Sequence, residues 1–461
     1  MNVGISPELL TRFKANDQKG TTYARHLSQL IQCKTLSWKN DNDTEQFEKF
    51  HHLLASQYPS LFARMEKIRI DTNFLYRWPG HSSDHAILLM AHSDIVDAGN
   101  DGWSHPPFSG DLINEEIWGR GTLDTKQLLC AFFSAAEELT LSGFCPCCDI
   151  FFLSSCDEEC GTGRAQAVAD WFKSCGIQLL LVLDEGGNIS SSPYPFFDGT
   201  CATVGICEKG AANILFTAHS SGGHASTPSP EDAIPKLAEF IHYIQTNSVF
   251  EEKLPEFIHD IFAFKQNEML PPYSDLDLRS PSSAASLLSL LKKNYSASAA
   301  LLKTTVAFTM LQGGDAPNAL PSAASVTANV RLSFHDNLND VMTKLTNIAN
   351  RFGISSLLLS GHDSSTCSNI KHSSYQYTEA VLQREFGPIH ILPWPMFGGT
   401  DSRHFSDRCP VVLRFSPIIV TPEQISGVHG INERISVASL EKAVAFYKTF
   451  IGNLSCLTEI L

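Results

Sequence analysis

Histidines and acids stand repeatedly at the ends of apolar runs in this chain, a placement suited to holding metal ions. Residues 86–91 are apolar and lead into His92-Ser-Asp94, and Gly119-Arg-Gly-Thr-Leu-Asp124 follows. A second run, Ile150-Phe-Phe-Leu153, leads to Asp157-Glu158-Glu159, a third, Leu179-Leu-Leu-Val-Leu183, ends in Asp184, and Gly427-Val-His429-Gly430 lies near the C-terminus. Open α/β sheets collect their ligands at the carboxyl ends of the strands. Polar groups gathered there are costly to desolvate unless they hold positive charge. Two divalent metal ions are the natural filling.

Each position has a blander reading. A lone histidine beside an apolar run is often a satisfied core residue, but Asp94 two places on, with other ligands to hand, favours ligation by His92. Glu158 and Glu159 would read as a solvated loop pair if no buried strand preceded them. Asp184, followed by Glu185-Gly-Gly, could form only a turn, yet the aliphatic run before it favours a site. Glu185 itself reads as lying behind the site or at the surface.

The elements that must position these residues fall into three blocks. Over about 20–205, apolar strands alternate with amphipathic helices, the rhythm of a parallel α/β sheet; 127–141 and 163–174 are expected to be helices. The second block alternates like a half-exposed strand at 213–219. It continues with a helix at 233–245, strands at 305–311 and 325–333, a helix at 338–352 and a strand at 354–360, which together make a small α+β sandwich. Residues 250–300, rich in Ser, Leu and Pro, read as helical decoration on it. The polar stretch 361–374 reads as a hinge. From 375 onward the α/β pattern returns, with helices at 377–385 and 439–451 and strands at 389–392 and 411–415. The expectation is therefore a mixed, mainly parallel sheet flanked by helices, built from 1–207 and 366–461. A smaller α+β sandwich, 208–365, is inserted in it.

Bulk properties exclude little. The chain has 461 residues, 43% hydrophobic and 10% aromatic, as in an ordinary globular protein. Its formal charge of −15 argues against nucleic acid and anionic membrane surfaces as partners. No basic region followed by an apolar core opens the sequence, and no run approaches ~18 apolar residues; a cytoplasmic protein is the expectation. Thirteen cysteines, an odd number, do not suggest a disulfide framework. Cys145-Pro-Cys147-Cys148 lacks a second pair for a zinc ribbon and reads as loop thiols, while Cys156 and Cys160 read as small apolar fillers.

Taken in order, these motifs resemble the di-zinc peptidase family of glutamate carboxypeptidase, aminoacylase, succinyl-diaminopimelate desuccinylase and carboxypeptidase S. The resemblance runs from about residue 20 to the end, and implies that the inserted sandwich is a lid or dimerisation domain through which a homodimer forms. It adds Gly222-Gly-His224, Asn318-Ala-Leu-Pro321 and Gly398-Gly-Thr-Asp-Ser402 to the motifs above. Trp103-Ser-His-Pro-Pro-Phe108 is most similar to the carboxypeptidase S branch and its N-acyl-amino-acid relatives.

The resemblance implies that Asp124 bridges two zinc ions, cobalt or manganese being alternatives. His92 and Asp184 would complete one ion, and Glu159 and His429 the other, each leaving an open position for a bridging water. His429 rests most on the resemblance, with His105 and His404 as competitors. Asp94 would accept the other N–H of His92, and Glu158 would be the general base. His224 matches a histidine that in dimers stabilises the oxyanion at the neighbouring subunit's site; a turn histidine is the other reading. Asn318 and Arg331 match substrate contacts, Arg331 being suited to a carboxylate or else to a surface salt bridge. Gly398, Gly399 and Thr400 would wall that carboxylate, or form only a turn. Thr125 departs from the second acid many relatives carry after the bridging aspartate, which bears on how the bridge is positioned and on metal preference.

The implied activity is metal-dependent hydrolysis of an amide bond next to a free carboxylate, in a short peptide or an N-acyl amino acid. A dipeptidase and a non-catalytic binding protein on the same fold are the alternatives. A serine hydrolase is disfavoured because no Gly-x-Ser-x-Gly elbow follows a strand.

Overall fold

The computed structural model describes residues 19–37, 44–99, 101–161 and 163–458, in two compact units. The first contains the described residues through Cys207, with Cys367–Trp394 and those from Thr400 onward. Its sheet has eight strands: β1 (Glu66–Ile70), β2 (Asn73–Trp78), β3 (Ser82–His92), β4 (Cys148–Ser155), β5 (Leu179–Ser191), β6 (Thr200–Glu208), β7 (His390–Met396) and β8 (Val412–Ile419). They lie in the order β1-β2-β4-β3-β5-β8-β6-β7. The pairings β3–β4, β3–β5 and β5–β8 are parallel. Antiparallel pairings join β1 to β2, β2 to β4, and β6 to both β5 and β8.

The central strands read as continuous apolar runs because both their faces are covered. All eight residues of β4 and the last seven of β3 are buried. Parallel neighbours need crossovers, supplied here by the helices Lys126–Leu141 and Ala165–Cys175. The first buries 14 of its 16 residues, more than its one-sided apolar stripe leads one to expect. It packs on β3 on one side and on the helices Lys19–Ile31 and Val437–Gly452 on the other, so its polar face is enclosed too. Glu138 serves that enclosure by accepting from Lys19 Nζ (3.0 Å), Lys448 Nζ (2.6 Å) and the Tyr23 hydroxyl.

Register decides what reaches the carboxyl edge. His92 pairs with Ser155, Leu89 with Leu183, and Arg414 with Asp184. The segments after β3 and β4 and the acid pair of mid-β5 therefore lie at one edge of the sheet. Beyond Asp184 the β5–β8 ladder shifts register, and Gly186 (φ +139°) sits there because a Cβ would fall 2.6 Å from that of Arg414.

The second unit comprises Glu208–Thr366 and Pro395–Gly399. Its antiparallel sheet runs Thr305–Gln312, Ala323–Leu332, Gly210–His219, Ile354–His362. The alternating burial of Gly210–His219 shows one covered face. Phe216 and Val330 there meet Phe240 and Leu345 of the helices Ala233–Thr246 and Leu338–Arg351. Residues 250–302 hold three α-helices, Glu256–Lys265, Ser283–Asn294 and Ser298–Leu302; the middle one buries Leu287 and Leu291. The stretch read as a hinge is shorter than expected, because the helix Ser373–Phe386 begins at its end, where the His372 side chain accepts the Ser374 N–H.

Among the described residues no helix is long and apolar enough to cross a membrane, and the twelve cysteines with described side chains are free thiols.

Candidate metal centre

Two groups of potential ligands share one residue, Asp124, in the first unit. His92, Asp124 and Glu185 form the first, and Asp124, Glu159 and His429 the second. The two oxygens of Asp124 are divided between them: Oδ1 lies 2.9 Å from His92 Nε2, and Oδ2 lies 2.9 Å from His429 Nε2. Glu185 Oε1 is 3.3 Å from His92 Nε2, and Glu159 Oε2 is 3.1 Å from His429 Nε2.

This corrects the expectation for Asp184. Successive residues of a strand point to opposite faces, so only one of Asp184 and Glu185 can face His92. Glu185 does. Asp184 turns away, its Oδ1 accepting the Glu185 N–H (2.9 Å) and its Oδ2 the Ser402 N–H (3.0 Å). Both acids stand at the end of the same aliphatic run, so the signal was present, but the face was not decidable without the register.

The other ring nitrogen of His92 is also held differently. Nδ1 lies 2.9 Å from the Asp94 backbone oxygen and 3.4 Å from its Oδ1, so main chain and carboxylate of Asp94 together orient the ring. Asp94 Oδ2 accepts from Ser37 Oγ (2.6 Å) and from the Glu159 N–H (3.1 Å), which ties the first group to the loop of the second. The competitors of His429 are engaged elsewhere. His404 Nδ1 lies 2.8 Å from Gln166 Oε1, and His105 meets Trp118 edge-on, 3.6 Å from Asp111 Oδ2.

The electrostatics demand positive charge. Burial pushes Glu185 up to about 8, against the pull of His92, and Asp401 up to about 7. Burial and the Glu185 carboxylate raise Glu158 well above its ordinary range. Burial opposes a charged His92, yet Glu185, Asp124 and Asp94 raise it well above the usual imidazole value. Hydrogen bonds to Asp124 and Glu159 lift His429 to about 10. Asp124 is lowered despite its burial, by His429 and His92. The two groups gather three carboxylates, Asp124, Glu159 and Glu185, against two imidazoles, and carboxylates crowded out of water call for a cation. Glu159 Oε1 is buried without a hydrogen-bond partner. Oxygen and imidazole donors in two sets of three fit a pair of divalent ions.

The remaining predicted site residues are distributed over both units. In the second, His224 and Asn318 lie side by side: Gly223–His224 pairs with Ala319–Leu320, and Ala225 N–H donates to the Asn318 carbonyl (3.1 Å). His224 is exposed, its Nδ1 2.7 Å from Ser226 Oγ. Half-buried Arg331 donates from Nε to Asn329 Oδ1 (3.1 Å). It has no carboxylate within ion-pair distance among the described residues. Gly398 and Gly399 belong to the same unit, and a Cβ on Gly398 would meet nothing within 4 Å. Thr400 is buried in the first unit, its Oγ1 2.7 Å from Ser402 Oγ, and Thr125 is wholly buried at the start of the helix Lys126–Leu141.

Residues 88–453 match the sequence profile of peptidase family M20/M25/M40. The Dictyostelium discoideum protein named "Probable carboxypeptidase S-like 2" is 31% identical, over 93% of this chain and 84% of its own. The Homo sapiens N-fatty-acyl-amino acid synthase/hydrolase PM20D1 is 30% identical, over 92% and 85%. Among solved structures, human carnosine dipeptidase 1 superposes with a TM-score of 0.70 at 14% identity, over 98% of this chain and 100% of that one.

Proposed function

Because this chain belongs to peptidase family M20/M25/M40, we propose that it hydrolyses an amide bond next to a free carboxylate, as a carboxypeptidase or an N-acyl-amino-acid hydrolase. The observation that carries this is the pair of three-donor groups sharing Asp124, with Glu158 beside them and outside both. The ions are assigned as zinc, held by His92, Asp124 and Glu185 on one side and by Asp124, Glu159 and His429 on the other. When bound, they polarise the scissile carbonyl and acidify water.

The chain's own residues do the rest. Glu158 takes the proton of the attacking water and passes it to the leaving amine. Asp94 fixes the tautomer of His92. On the second unit, His224 is assigned to the developing oxyanion at the neighbouring subunit's site and Asn318 to the substrate's polar groups. Arg331, a cation without a carboxylate of its own among the described residues, is assigned to the substrate carboxylate, and Gly398, Gly399 and Thr400 to the wall beside it.

The N-acyl reading has one observation in its favour. The segment carrying His429 exposes Ile425 (41%), Val428 (37%) and Ile431 (47%), apolar surface suited to an acyl chain. A panel of N-acyl amino acids, blocked dipeptides and free dipeptides, with metal content measured on the same sample, separates the readings. Two zincs per chain and cleavage that improves with acyl length are expected. Preference for free dipeptides would favour the dipeptidase. A metal-free protein that zinc, cobalt and manganese all fail to activate would leave a binding protein.

We further propose that the second unit pairs two copies of the chain through the edge strand Ile354–His362. Leu357 and Leu359 of that strand are 58% and 52% exposed, and a bare apolar edge is a pairing template. Light scattering after gel filtration should give a dimer that Leu357→Lys with Leu359→Lys converts to monomer. A monomeric wild type at micromolar concentration would refute the pairing.

A further inference from the structure

We infer that Glu433 is a positioning residue that holds Asp124 and His429 in one metal-binding geometry, with Arg120 as its counter-charge. This rests on the two-metal reading above. Glu433 is fully buried and lies in neither ligand group. Its Oε1 accepts three backbone N–H bonds from the loop that ends at the bridging residue: Gly121 (3.1 Å), Leu123 (2.7 Å) and Asp124 itself (3.1 Å). Its Oε2 accepts from Arg120 Nη1 at 2.6 Å. The other arm of that guanidinium, Nη2, donates at 2.6 Å to the carbonyl of Gly430, the neighbour of His429.

One carboxylate and one guanidinium thus connect the two loops that supply the shared ligand and the second histidine. An ion pair that served folding alone would need only to join the loops. This one converges on the peptide N–H of Asp124 and on the residue after His429. The segment is shaped around the contact. Strand Arg434–Ser436 pairs with Glu116–Trp118, which lays Glu433 along the start of the Asp124 loop. Gly427 passes so close that a Cβ there would fall 3.0 Å from Glu433 Cα. His429 and Asn432 hold left-handed backbones at φ +57° and +61°, conformations that persist only where surroundings over-determine them. Trp103 covers the Arg120 guanidinium at 5.4 Å, and the Ser104 N–H donates to Asn432 Oδ1 at 2.7 Å.

Ligand positions must hold to within ~0.5 Å, and loss of a supporting partner typically costs ~10–100-fold in metal affinity. Glu433→Gln keeps the shape but turns an amide donor or a neutral oxygen toward Arg120. Because Asp124 serves both groups, this variant should weaken both zinc sites at least ~10-fold. Arg120→Lys cannot span Glu433 and the Gly430 carbonyl together, so it should weaken chiefly the site that uses His429.

The test is zinc titration of metal-stripped protein against a chromophoric chelator, with melting midpoints of the same metal-free samples. Phe450→Leu, in the buried helix Val437–Gly452, is the control: it should lower the midpoint while both zinc affinities stay within about twofold of wild type. A Glu433→Gln protein that binds both zincs as wild type does, whatever its midpoint, overturns the inference. Should that variant not fold, unchanged zinc affinities in Arg120→Lys overturn it instead. A wild type with two zinc sites and unaltered variants removes this inference alone, whereas a wild type with no zinc site removes the two-metal reading and this inference with it.

Discussion

Glu158→Gln is expected to lower kcat by about 10²–10⁴-fold while the protein keeps two metal ions and its KM stays within a few-fold. Glutamine matches the volume of glutamate but does not accept a proton. The half-buried Glu158 side chain belongs to neither ligand group, so its replacement removes no metal donor. With no metal ion bound, burial and the Glu185 carboxylate raise its affinity for a proton. A loss in kcat without loss of metal separates this role from ligation, and a KM that holds separates it from substrate binding. Kinetics and metal analysis on the same preparation decide the matter. A variant retaining more than a tenth of wild-type kcat would remove Glu158 from the mechanism.

Much of this architecture can be read in the sequence, for reasons visible in particular elements. β3 from Ala86 onward and β4 are buried on both faces, so 86–91 and 150–153 are uninterrupted apolar runs that a central strand or a buried helix explains. The alternating strand Gly210–His219 and the amphipathic helix Leu338–Arg351 reveal a sheet covered on one side. His92, Asp124, Glu159 and His429 converge where the motif order suggests.

What stays hidden is whatever depends on register or on partners distant in the chain. Whether Asp184 or Glu185 faces His92 is a one-residue question of strand face, settled by how β5 pairs with β3 and β8. That the polar side of the helix Lys126–Leu141 is enclosed depends on two helices from opposite ends of the chain. Arg120 and Glu433 lie within or beside recognisable motifs, but Glu433 looks like any other charged residue until the loop it gathers is seen.

That one-residue question yields the second large effect. Glu185→Ala should lose the ion of the His92 group, leaving about one metal per chain, because it removes one of the three donors gathered there among the described residues and a catalytic site keeps about three protein ligands per ion. Activity should fall by at least ~100-fold, since loss of a supporting residue alone already costs ~10–100-fold. Asp184→Asn should keep both ions. The asparagine oxygen can still accept one of the two backbone N–H groups, from Glu185 and Ser402, that Asp184 now receives. The amide nitrogen then faces the other donor, so the strand end loosens and activity falls by about tenfold or less. Metal analysis after dialysis of the two variants separates the roles. If Asp184→Asn loses an ion while Glu185→Ala keeps both, then Asp184 is the ligand and Glu185 is not. If each variant loses one ion, the two acids act together: Asp184 holds the Glu185 main chain tightly enough that ligation fails without it. The contrast in stoichiometry carries more weight than the loss of activity, because damage at either acid slows the reaction but only ligand loss empties a site.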